Sequence, residues 1–400
     1  MRKVLIILIT ALFAISCTST GKKEKIEKQF DEISQLVKQE FAPDRREKTF
    51  EPVIIVSDDV KTLVLKGSTT EPQAKEALLT RLIENKIEVL DSMKLLPDAA
   101  LGDKTYGITS QSVINFRYGS GYSNESATQT IMGTPLRILE KKGGWTRAIT
   151  PEGYIAWVSS GSIQPMNESE YNAWTAAPKL IVTTHYTLFR ETPSENGAVV
   201  SDGVWGNIVR ADGASGNYNK VILPNGKVAF VLKAHTAELS KWIASRNPSA
   251  DNILTTASQF LGFPYMWGGT SVKAMDCSGF TKTVFYLNGV ILERDASQQA
   301  LTGEGVEITE KFENLQKGDL LFFGSKATPE RKERITHVGI YIANGEFIHS
   351  ATSVRINSLI PDSHNYYDGS NRLVRVQRLI TKIDQDPGIV SIAKHQWYFN

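Results

Sequence analysis

The chain of 400 residues has few cysteines, little net charge and no long hydrophobic run. Two cysteines are too few for a disulfide framework, and no C-x-x-C pair is present to build a structural zinc site. The 45 Lys and Arg residues leave a net charge of only +2 over the 43 Asp and Glu residues, so nucleic acid is not expected as a partner. No apolar run reaches the roughly 20 residues that a membrane-spanning helix needs. A hydrophobic content of 41% then predicts several globular domains.

The first cysteine ends an N-terminal segment that is typical of secretion. A basic start precedes an apolar stretch over residues 4–15, which has the length of a signal-peptide core. The four residues AISC that end at Cys17 resemble the lipobox of bacterial lipoproteins, in which the cysteine is acylated. The alternative is a plain secretory signal with an incidental cysteine. The lipoprotein interpretation predicts a signal peptide over residues 1–17, a tether over 18–48 and a lipid-anchored protein of the cell envelope, periplasmic in a Gram-negative source.

Residues 49–100 predict a small α/β segment that supports packing. Residues 53–56 and 62–65 have the composition of strands. Thr70-Glu71-Pro72 predicts the start of a helix that ends near Pro97. Its apolar face is predicted to consist of Leu79, Ile83, Ile87 and Leu90.

Residues 101–240 contain an internal repeat of β-rich sequence. Short runs of Val, Ile, Leu and aromatic residues alternate with Gly, Pro and Asn, which is typical of small β-barrels. An offset of 73 residues carries Phe116, Gly133, Arg137, Pro151, Ala156 and Val158 onto identical residues. The sequence therefore predicts one supersecondary unit used twice, over 101–168 and 176–240, with a linker over residues 171–178. Residues 153–158, GYIAWV, resemble a segment of bacterial SH3-like domains.

The second cysteine lies at the predicted start of a helix within residues 241–400, whose helices and strands indicate an α+β domain. Asp276 is a good N-cap residue, and Phe280, Val284 and Leu287 form one apolar face. Because a helix N-terminus favours an anion, this position predicts a lowered thiol pKa at Cys277 and a nucleophilic thiolate. The alternative is that Cys277 is a small buried hydrophobic residue.

Two histidines lie on one predicted hairpin downstream. A two-residue turn at Asn344-Gly345 would place His337 and His349 on opposite faces of the sheet. A three-residue loop over 343–345 would place His349 opposite Gly339 and diagonal to His337 on one face. We predict the second register.

A thiol with two imidazoles on one face supplies a nucleophile, a base and a group that orients the base. The same residues, Cys277, His337 and His349, could bind zinc, but no fourth ligand is evident. We therefore predict a cysteine nucleophile without a metal or another cofactor.

The segments around these residues resemble the NlpC-type family of bacterial cell-wall cysteine peptidases. The resemblance covers most of residues 241–380 and is carried by DCSGF at 276–280, THVGIY at 336–341, GDLLFF at 318–323 and His349. It implies a papain-like fold and hydrolysis of peptide-stem bonds in peptidoglycan. The predicted fold class is thus a multidomain α+β protein, with a papain-like catalytic domain over 241–400 preceded by two small SH3-like barrels and a short helical N-terminal segment.

The resemblance also implies roles for individual residues. Cys277 would attack the carbonyl, His337 would act as base and acid, and His349 would orient His337. The backbone N–H of Cys277 and the hydroxyl of Tyr265 would bind the oxyanion. Trp267 would form an apolar wall, and contacts to the substrate's amine, main chain and D-Glu carboxylate are implied for Asp276, Ser278 and Ser297.

The paired barrels resemble those of γ-D-glutamyl-diamino-acid endopeptidases. In that subgroup a Glu and a Tyr of the first barrel bind the free amine of an N-terminal L-Ala, and Glu125 and Tyr154 match these positions. Both are replaced in the second copy, by Ala198 and Lys227. The expected partners are peptidoglycan stem peptides or muropeptides, and the membrane through the lipid anchor, with the protein as a monomer.

Two alternatives remain at this stage. One is a lipoprotein that binds peptidoglycan without catalysis, in which the papain-like domain is a relic. The other is amidase or acyl-transfer chemistry on the same fold.

Overall fold

The computed structural model describes the backbone of residues 2–399 and the side chains of residues 21–399. Two compact units are present, Met1–Gly102 and Asp103–Asn400. Within the described part of the chain, no helix is long and apolar enough to cross a membrane. The predicted acylation site, Cys17, lies outside the described side chains.

The first unit is a small sheet packed against two helices. Its elements are α1 (Arg2–Phe41), β1 (Phe50–Val56), β2 (Leu63–Thr69), α2 (Pro72–Glu84), β3 (Leu90–Asp91) and β4 (Lys94–Leu95). Strands β1 and β2 form an antiparallel pair, while β3 and β4 each pair with β2 in the parallel orientation. The two predicted strands are therefore present, and β3 and β4 extend the sheet.

The predicted tether differs from the structure in its C-terminal part. Phe30, Ile33 and Val37 of α1 are buried in the hydrophobic core of the first unit, together with Leu65 of β2 and Leu78 of α2. Because these apolar side chains repeat at helical spacing, they pack as a helix face and do not form an extended spacer.

The predicted length of α2 is wrong, and its predicted apolar face is correct only in part: Ile87 lies in the core and Leu79 packs against it, whereas Leu90 is exposed. The helix ends at Glu84, and its buried residues are Ala74, Leu78 and Leu82. Ile83 is 66% exposed. The spacing of four residues between the buried positions defines the stripe that faces the core, and the predicted set is rotated by one residue from it.

The second unit begins with two β-domains of equivalent topology, joined by one helix. The first β-domain contains β5 (Tyr106–Thr109), β6 (Val113–Arg117), β7 (Ser126–Ile131), β8 (Pro135–Lys142), β9 (Trp145–Ile149), β10 (Ile155–Ser159) and β11 (Ile163–Met166). After α3 (Glu168–Ala176), the second contains β12 (Lys179–Val182), β13 (Tyr186–Arg190), β14 (Val199–Val204), β15 (Ile208–Ser215), β16 (Tyr218–Ile222), β17 (Val228–Leu232) and β18 (Thr236–Glu238).

The strands confirm the predicted repeat. Strands β5 to β10 begin 73 residues before β12 to β17, and the strand order β11-β5-β8-β9-β10-β6-β7 recurs as β18-β12-β15-β16-β17-β13-β14. The segment predicted as a linker is mostly helical, because α3 has a capping box between Asn167 and Glu170. Tyr171 and Trp174 of α3 are buried, so this helix packs against the first β-domain.

The C-terminal domain, which the sequence predicts to be the catalytic domain, follows. Its elements are α4 (Leu239–Ala244), α5 (Ala250–Ser258), β19 (Thr270–Ser271), β20 (Ala274–Met275), α6 (Cys277–Leu287), β21 (Val290–Leu292), α7 (Ala296–Gln299), β22 (Glu304–Gly305), β23 (Leu320–Ser325), β24 (Arg334–Ala343), β25 (Glu346–Ser350), β26 (Val354–Ser358), β27 (Leu373–Arg378) and β28 (Ile389–Ser391). A six-stranded sheet has the order β22-β27-β23-β24-β25-β26. Helix α6 packs on the middle of this sheet through Phe280 and Val284, which contact the core formed with Val338, Ile340 and Ile348. This packing brings the start of α6 next to β24.

The hairpin of β24 and β25 has the predicted register. Tyr341 lies opposite Phe347, which places His349 opposite Gly339 and on the same face as His337. A Cβ on Gly339 would lie 3.1 Å from the Cβ of His349 and 2.7 Å from Cδ2 of Phe347. The absence of a side chain at Gly339 therefore makes room for His349.

The turn that produces this register differs from the predicted one. Asn344 and Gly345 form a two-residue turn with φ of 52° and 81°, as a type I′ turn requires, and Ala343 pairs with Glu346. A register shift between Tyr341 and Ala343 then changes the pairing by one residue. A bulge in the strand, and not a longer loop, thus places the two histidines on one face.

Candidate active site

The nucleophile position is fixed by the cap of α6. Oδ1 of Asp276 accepts a hydrogen bond of 2.7 Å from the backbone N–H of Gly279, which confirms Asp276 as the N-cap. Cys277 is therefore the first helical residue, whose backbone N–H has no partner within the helix. The backbone N–H groups of Val338 and Ser278 are close enough to its sulfur to lower the thiol pKa, so the sulfur lies beside β24 at the residue that follows His337.

The predicted lowering of the thiol pKa is wrong for the free protein. Cys277 is only 7% exposed. Burial, with a smaller contribution from the negative charge of Asp276, raises the pKa of the Cys277 thiol to about 12. The backbone N–H groups and the charge of Arg294 lower this pKa but do not compensate for burial. The resting nucleophile is a neutral thiol, which has to lose its proton as it attacks.

The two histidines form one hydrogen-bonded chain with an asparagine. Nε2 of His337 lies 2.6 Å from Nδ1 of His349, and Nε2 of His349 lies 2.8 Å from Oδ1 of Asn357 on β26. The imidazole rings are edge-to-face at 77°, and the ring of Tyr367 packs against both. His349 is fully buried, so its ring orientation is held by its neighbours.

Both imidazoles are neutral at neutral pH. Burial, with smaller contributions from the charges of His349, Arg372 and Arg355, lowers the pKa of His337 to about 3. Burial likewise lowers the pKa of His349 to about 4, although the hydrogen bond that Oδ1 of Asn357 accepts from Nε2 of His349 opposes this shift. A neutral imidazole can accept a proton, which a base for the Cys277 thiol has to do.

Arg294, a buried residue that the sequence analysis missed, lines the cleft and links its neighbours by hydrogen bonds. Arg294 is 1% exposed and donates from Nη2 to Oδ2 of Asp276 at 2.6 Å. It also donates to the hydroxyl of Ser278 at 2.9 Å and to that of Thr128 on β7 at 3.0 Å. Arg294 thus connects the cap of α6 to the first β-domain. The only sequence signal was a run of three charged residues, Glu293-Arg294-Asp295, directly after the apolar residues 290–292.

Asp276 is fully occupied by protein partners. Besides Gly279 and Arg294, its carboxylate accepts a hydrogen bond of 2.9 Å from the backbone N–H of Gly268 and one of 3.3 Å from the hydroxyl of Ser278. A carboxylate has about four lone-pair sites, and the charge is already paired with Arg294. The predicted contact between Asp276 and a substrate amine therefore has no free acceptor in this structure. Ser278 is 4% exposed and belongs to the same network.

The first β-domain closes one end of the cleft. Oε1 of Glu125 accepts a hydrogen bond of 2.9 Å from Nε1 of Trp267, and Trp267 is 58% exposed at the cleft. Tyr154 is fully buried and does not line the cleft. Its hydroxyl lies 2.8 Å from that of Tyr118 and donates to Asp295 at 3.2 Å. Tyr118 lines the cleft at this end, and Tyr154 supports it from behind.

A side-chain amide holds this β-domain against the catalytic domain. Oε1 of Gln129 on β7 accepts hydrogen bonds from the backbone N–H of Thr270 at 3.0 Å and from the hydroxyl of Ser271 at 3.1 Å. A buried ion pair of 2.8 Å between Glu152 and Lys282 adds a second connection, to α6. Glu125 is thus presented from a domain that is fixed relative to Cys277.

The cleft has a volume of about 350 Å³, and its lining includes Cys277, Ser278 and Ser297 together with Arg334, Ile335 and Thr336 of β24. This volume lies within the range of small-ligand sites, roughly 300–1,000 Å³. Tyr265 is partly exposed, and burial with the charges of Cys277 and Asp276 raises its hydroxyl pKa, so the hydroxyl stays a hydrogen-bond donor. Among the described side chains, no group of three His, Cys, Asp or Glu residues is arranged to hold a metal ion.

Comparisons with known proteins agree with this architecture. Residues 262–376 match the model of the NlpC/P60 family, and residues 119–163 match that of the bacterial dipeptidyl-peptidase Sh3 domain. A γ-D-glutamyl-L-lysine dipeptidyl-peptidase of Bacillus cereus is 32% identical over 249 residues, which are 60% of this chain and 71% of the relative. The chain belongs to the NlpC/P60 family. This membership confirms the predicted resemblance and makes the protein a cysteine peptidase.

Two further comparisons support the family and the fold. A γ-D-glutamyl-L-lysine dipeptidyl-peptidase of Bacillus subtilis is 28% identical over 262 residues, which are 63% of this chain and 81% of the relative. The crystal structure of an NlpC/P60 family protein from Bacillus cereus superposes with a TM-score of 0.58 at 24% identity, covering 69% of this chain and 99% of that one. The predicted fold class, SH3-like domains followed by an α+β catalytic domain, is confirmed.

Proposed function

We propose that this peptidase hydrolyses the γ-D-glutamyl-diamino-acid bond of peptidoglycan stem peptides that carry a free N-terminal L-Ala. The observation that carries the proposal is the closed end of the cleft, where Glu125 of the first β-domain is bound to Trp267 of the catalytic domain. The names of the two Bacillus relatives support the choice of the γ-D-glutamyl bond as the one that is cleaved. The fixed position of the β-domain supports a substrate that ends at the L-Ala residue.

The chemistry follows from the neutral thiol and imidazole. As the sulfur of Cys277 attacks the γ-glutamyl carbonyl carbon, the thiol proton passes to His337 and a C–S bond forms. The oxyanion is met by the backbone N–H of Cys277 and the hydroxyl of Tyr265. His337 then gives its proton to the leaving amine, and the C–N bond breaks. Water, deprotonated by His337, cleaves the acyl-enzyme and restores the thiol.

Recognition of the free amine is assigned to Glu125. Of the carboxylates considered for this role, Asp276 is paired with Arg294, whereas Glu125 is exposed at the cleft mouth. An ammonium that loses water on binding needs a carboxylate to offset the cost. Tyr154 acts by holding Tyr118 at the same end. Ser297 of α7 lines the cleft and is proposed to contact the D-Glu carboxylate.

We further propose that the protein is a monomer anchored in the cell envelope by a lipid on Cys17. The support is the AISC sequence after a signal-length apolar stretch. Labelling with a radioactive fatty acid in cells tests the anchor, and Cys17→Ser is expected to abolish labelling. Light scattering of the protein without its N-terminal signal tests whether it is a monomer.

The activity is tested with L-Ala-γ-D-Glu linked to L-Lys or to diaminopimelate. Cleavage is expected to release the free diamino acid, and acetylation of the L-Ala amine is expected to lower kcat/KM at least about 10-fold. Cys277→Ala controls for contaminating peptidases. Equal cleavage of acetylated and free substrates would remove the role of Glu125, and no cleavage of either would contradict the proposed function.

A further inference from the structure

Asn357 completes a hydrogen-bonded chain behind the catalytic pair. It lies on β26, on the side of His349 away from His337, and does not line the cleft. Its side-chain amide spans two fixed partners, Nε2 of His349 at 2.8 Å and the backbone carbonyl of Asn365 at 2.7 Å. Nothing in the sequence motifs pointed to this residue.

The second partner decides which way the amide faces. The carbonyl oxygen of Asn365 can only accept hydrogen bonds, and it also accepts one of 3.0 Å from the backbone N–H of Ser358. The amide nitrogen of Asn357 must therefore point to Asn365. Its oxygen then faces His349, and an oxygen can only accept there.

This orientation fixes the protonation of both rings in turn. His349 has to carry its hydrogen on Nε2 to donate to Asn357, which leaves Nδ1 of the neutral ring as an acceptor. His337 then carries its hydrogen on Nε2 and donates to Nδ1 of His349 over 2.6 Å. The one basic nitrogen left in the pair is Nδ1 of His337.

We propose that Asn357 is a positioning residue that selects the tautomer of His337 in which Nδ1 is free to take the thiol proton. Without the oxygen of Asn357, His349 could place its hydrogen on Nδ1 and donate to His337, whose hydrogen would then move to Nδ1 and block the base. The inference rests on the proposed role of His337, and it adds the group that sets its protonation.

The direct test is a measurement on the wild-type protein. In the wild-type protein labelled with ¹⁵N-histidine at neutral pH, Nε2 of both rings is expected to give the shift of a protonated nitrogen and Nδ1 that of an unprotonated one. His337→Gln and His349→Gln serve only to assign the signals. A protonated Nδ1 on neutral His349 would overturn the proposal, whether or not the protein cleaves stem peptides.

Two substitutions test the consequence for rate. Asn357→Leu removes the acceptor, and we expect kcat to fall about 10- to 100-fold while KM stays within about twofold. Asn357→Asp keeps an acceptor for His349 and adds a negative charge, so it should recover most of kcat and raise the pH of the acid limb. A purely structural role would give the two variants the same kcat and the same pH profile, which would contradict the proposal.

A matched control measures general destabilisation. Asn219 on β16 also donates from its side-chain amide, to the hydroxyl of Thr236 at 2.9 Å, but lies in the second β-domain. Asn219→Leu is expected to leave kcat, KM and the pH profile unchanged. If Asn357→Leu does not fold, the ¹⁵N shifts and Asn357→Asp decide the question.

Discussion

Replacing Arg294 by Met tests whether a buried arginine holds the nucleophile's helix in place. Arg294 and Asp276 have side chains only 1% and 6% exposed, and they pair at 2.6 Å. Removing one partner of such a pair leaves an unpaired buried charge, at a cost of about 3–5 kcal/mol. Asp276 would keep its bonds from Gly268 and Gly279, so we expect the lower end of this range.

Urea unfolding followed by tryptophan fluorescence measures this loss, because all seven tryptophans lie in the second unit. Adding Asp276→Asn removes the stranded charge but keeps an oxygen to cap α6. The double variant should therefore be more stable than Arg294→Met alone, by about 0.5–3 kcal/mol. Arg375→Met is the control, since its ion pair with Glu333 is about one-third exposed and should contribute below about 1 kcal/mol. A loss below about 1 kcal/mol for Arg294→Met, or a less stable double variant, would refute the reasoning.

Three further outcomes are expected. Glu125→Gln should lower kcat/KM for the free-amine substrate by about 10- to 100-fold and leave the acetylated substrate unaffected, with Glu191→Gln in the second β-domain as an inert control. Gly339→Ala should lower kcat with little change in KM, because a Cβ would lie 3.1 Å from that of His349; unchanged kcat would contradict the packing. Since the pKa of His337 is lowered to about 3 and that of the Cys277 thiol raised to about 12, kcat/KM should stay flat from about pH 5 to about pH 8; an inflection near the ordinary histidine value of 6.5 would contradict these assignments.

The same histidine shifts predict how stability depends on pH. Unfolded histidine takes up a proton near 6.5, whereas His337 and His349 do so only near 3 and 4 in the folded state. Below about pH 6.5 the unfolded state thus binds more protons, and stability falls as the pH is lowered further. Urea midpoints at several pH values would measure this, with a variant lacking both histidines as the reference.

The domain order could be predicted from the sequence because it rests on patterns that repeat. The offset of 73 residues persists in strand after strand, since each copy has to fill the same core. The cap at Asp276 was also predictable, because one side chain satisfies a local backbone group. The shared face of His337 and His349 followed from the period of a strand, although a bulge near Ile342 and not the loop produced it.

Contacts between distant segments could not be predicted. Arg294 contacts Asp276 and Thr128 only after folding has brought three distant segments of the chain together. No local sequence pattern predicts these contacts. The prediction of a lowered thiol pKa at Cys277 was wrong for the same reason. The position of Cys277 at a helix start argued for a thiolate, but Cys277 is buried in the core between α6 and the sheet, and burial has the larger effect. Tyr154 was predicted to touch substrate, whereas packing places it behind Tyr118.

The central claim is that Cys277 and His337 form a peptidase site whose closed end selects a free amine. The most direct measurement is mass spectrometry of the protein mixed with L-Ala-γ-D-Glu-diaminopimelate and stopped in acid. The account predicts release of diaminopimelate and a transient L-Ala-D-Glu acyl group on Cys277. Neither appears with Cys277→Ala, and release from the acetylated substrate is at least about 10-fold slower. Release that persists in Cys277→Ala, or an acyl group on another residue, would contradict it.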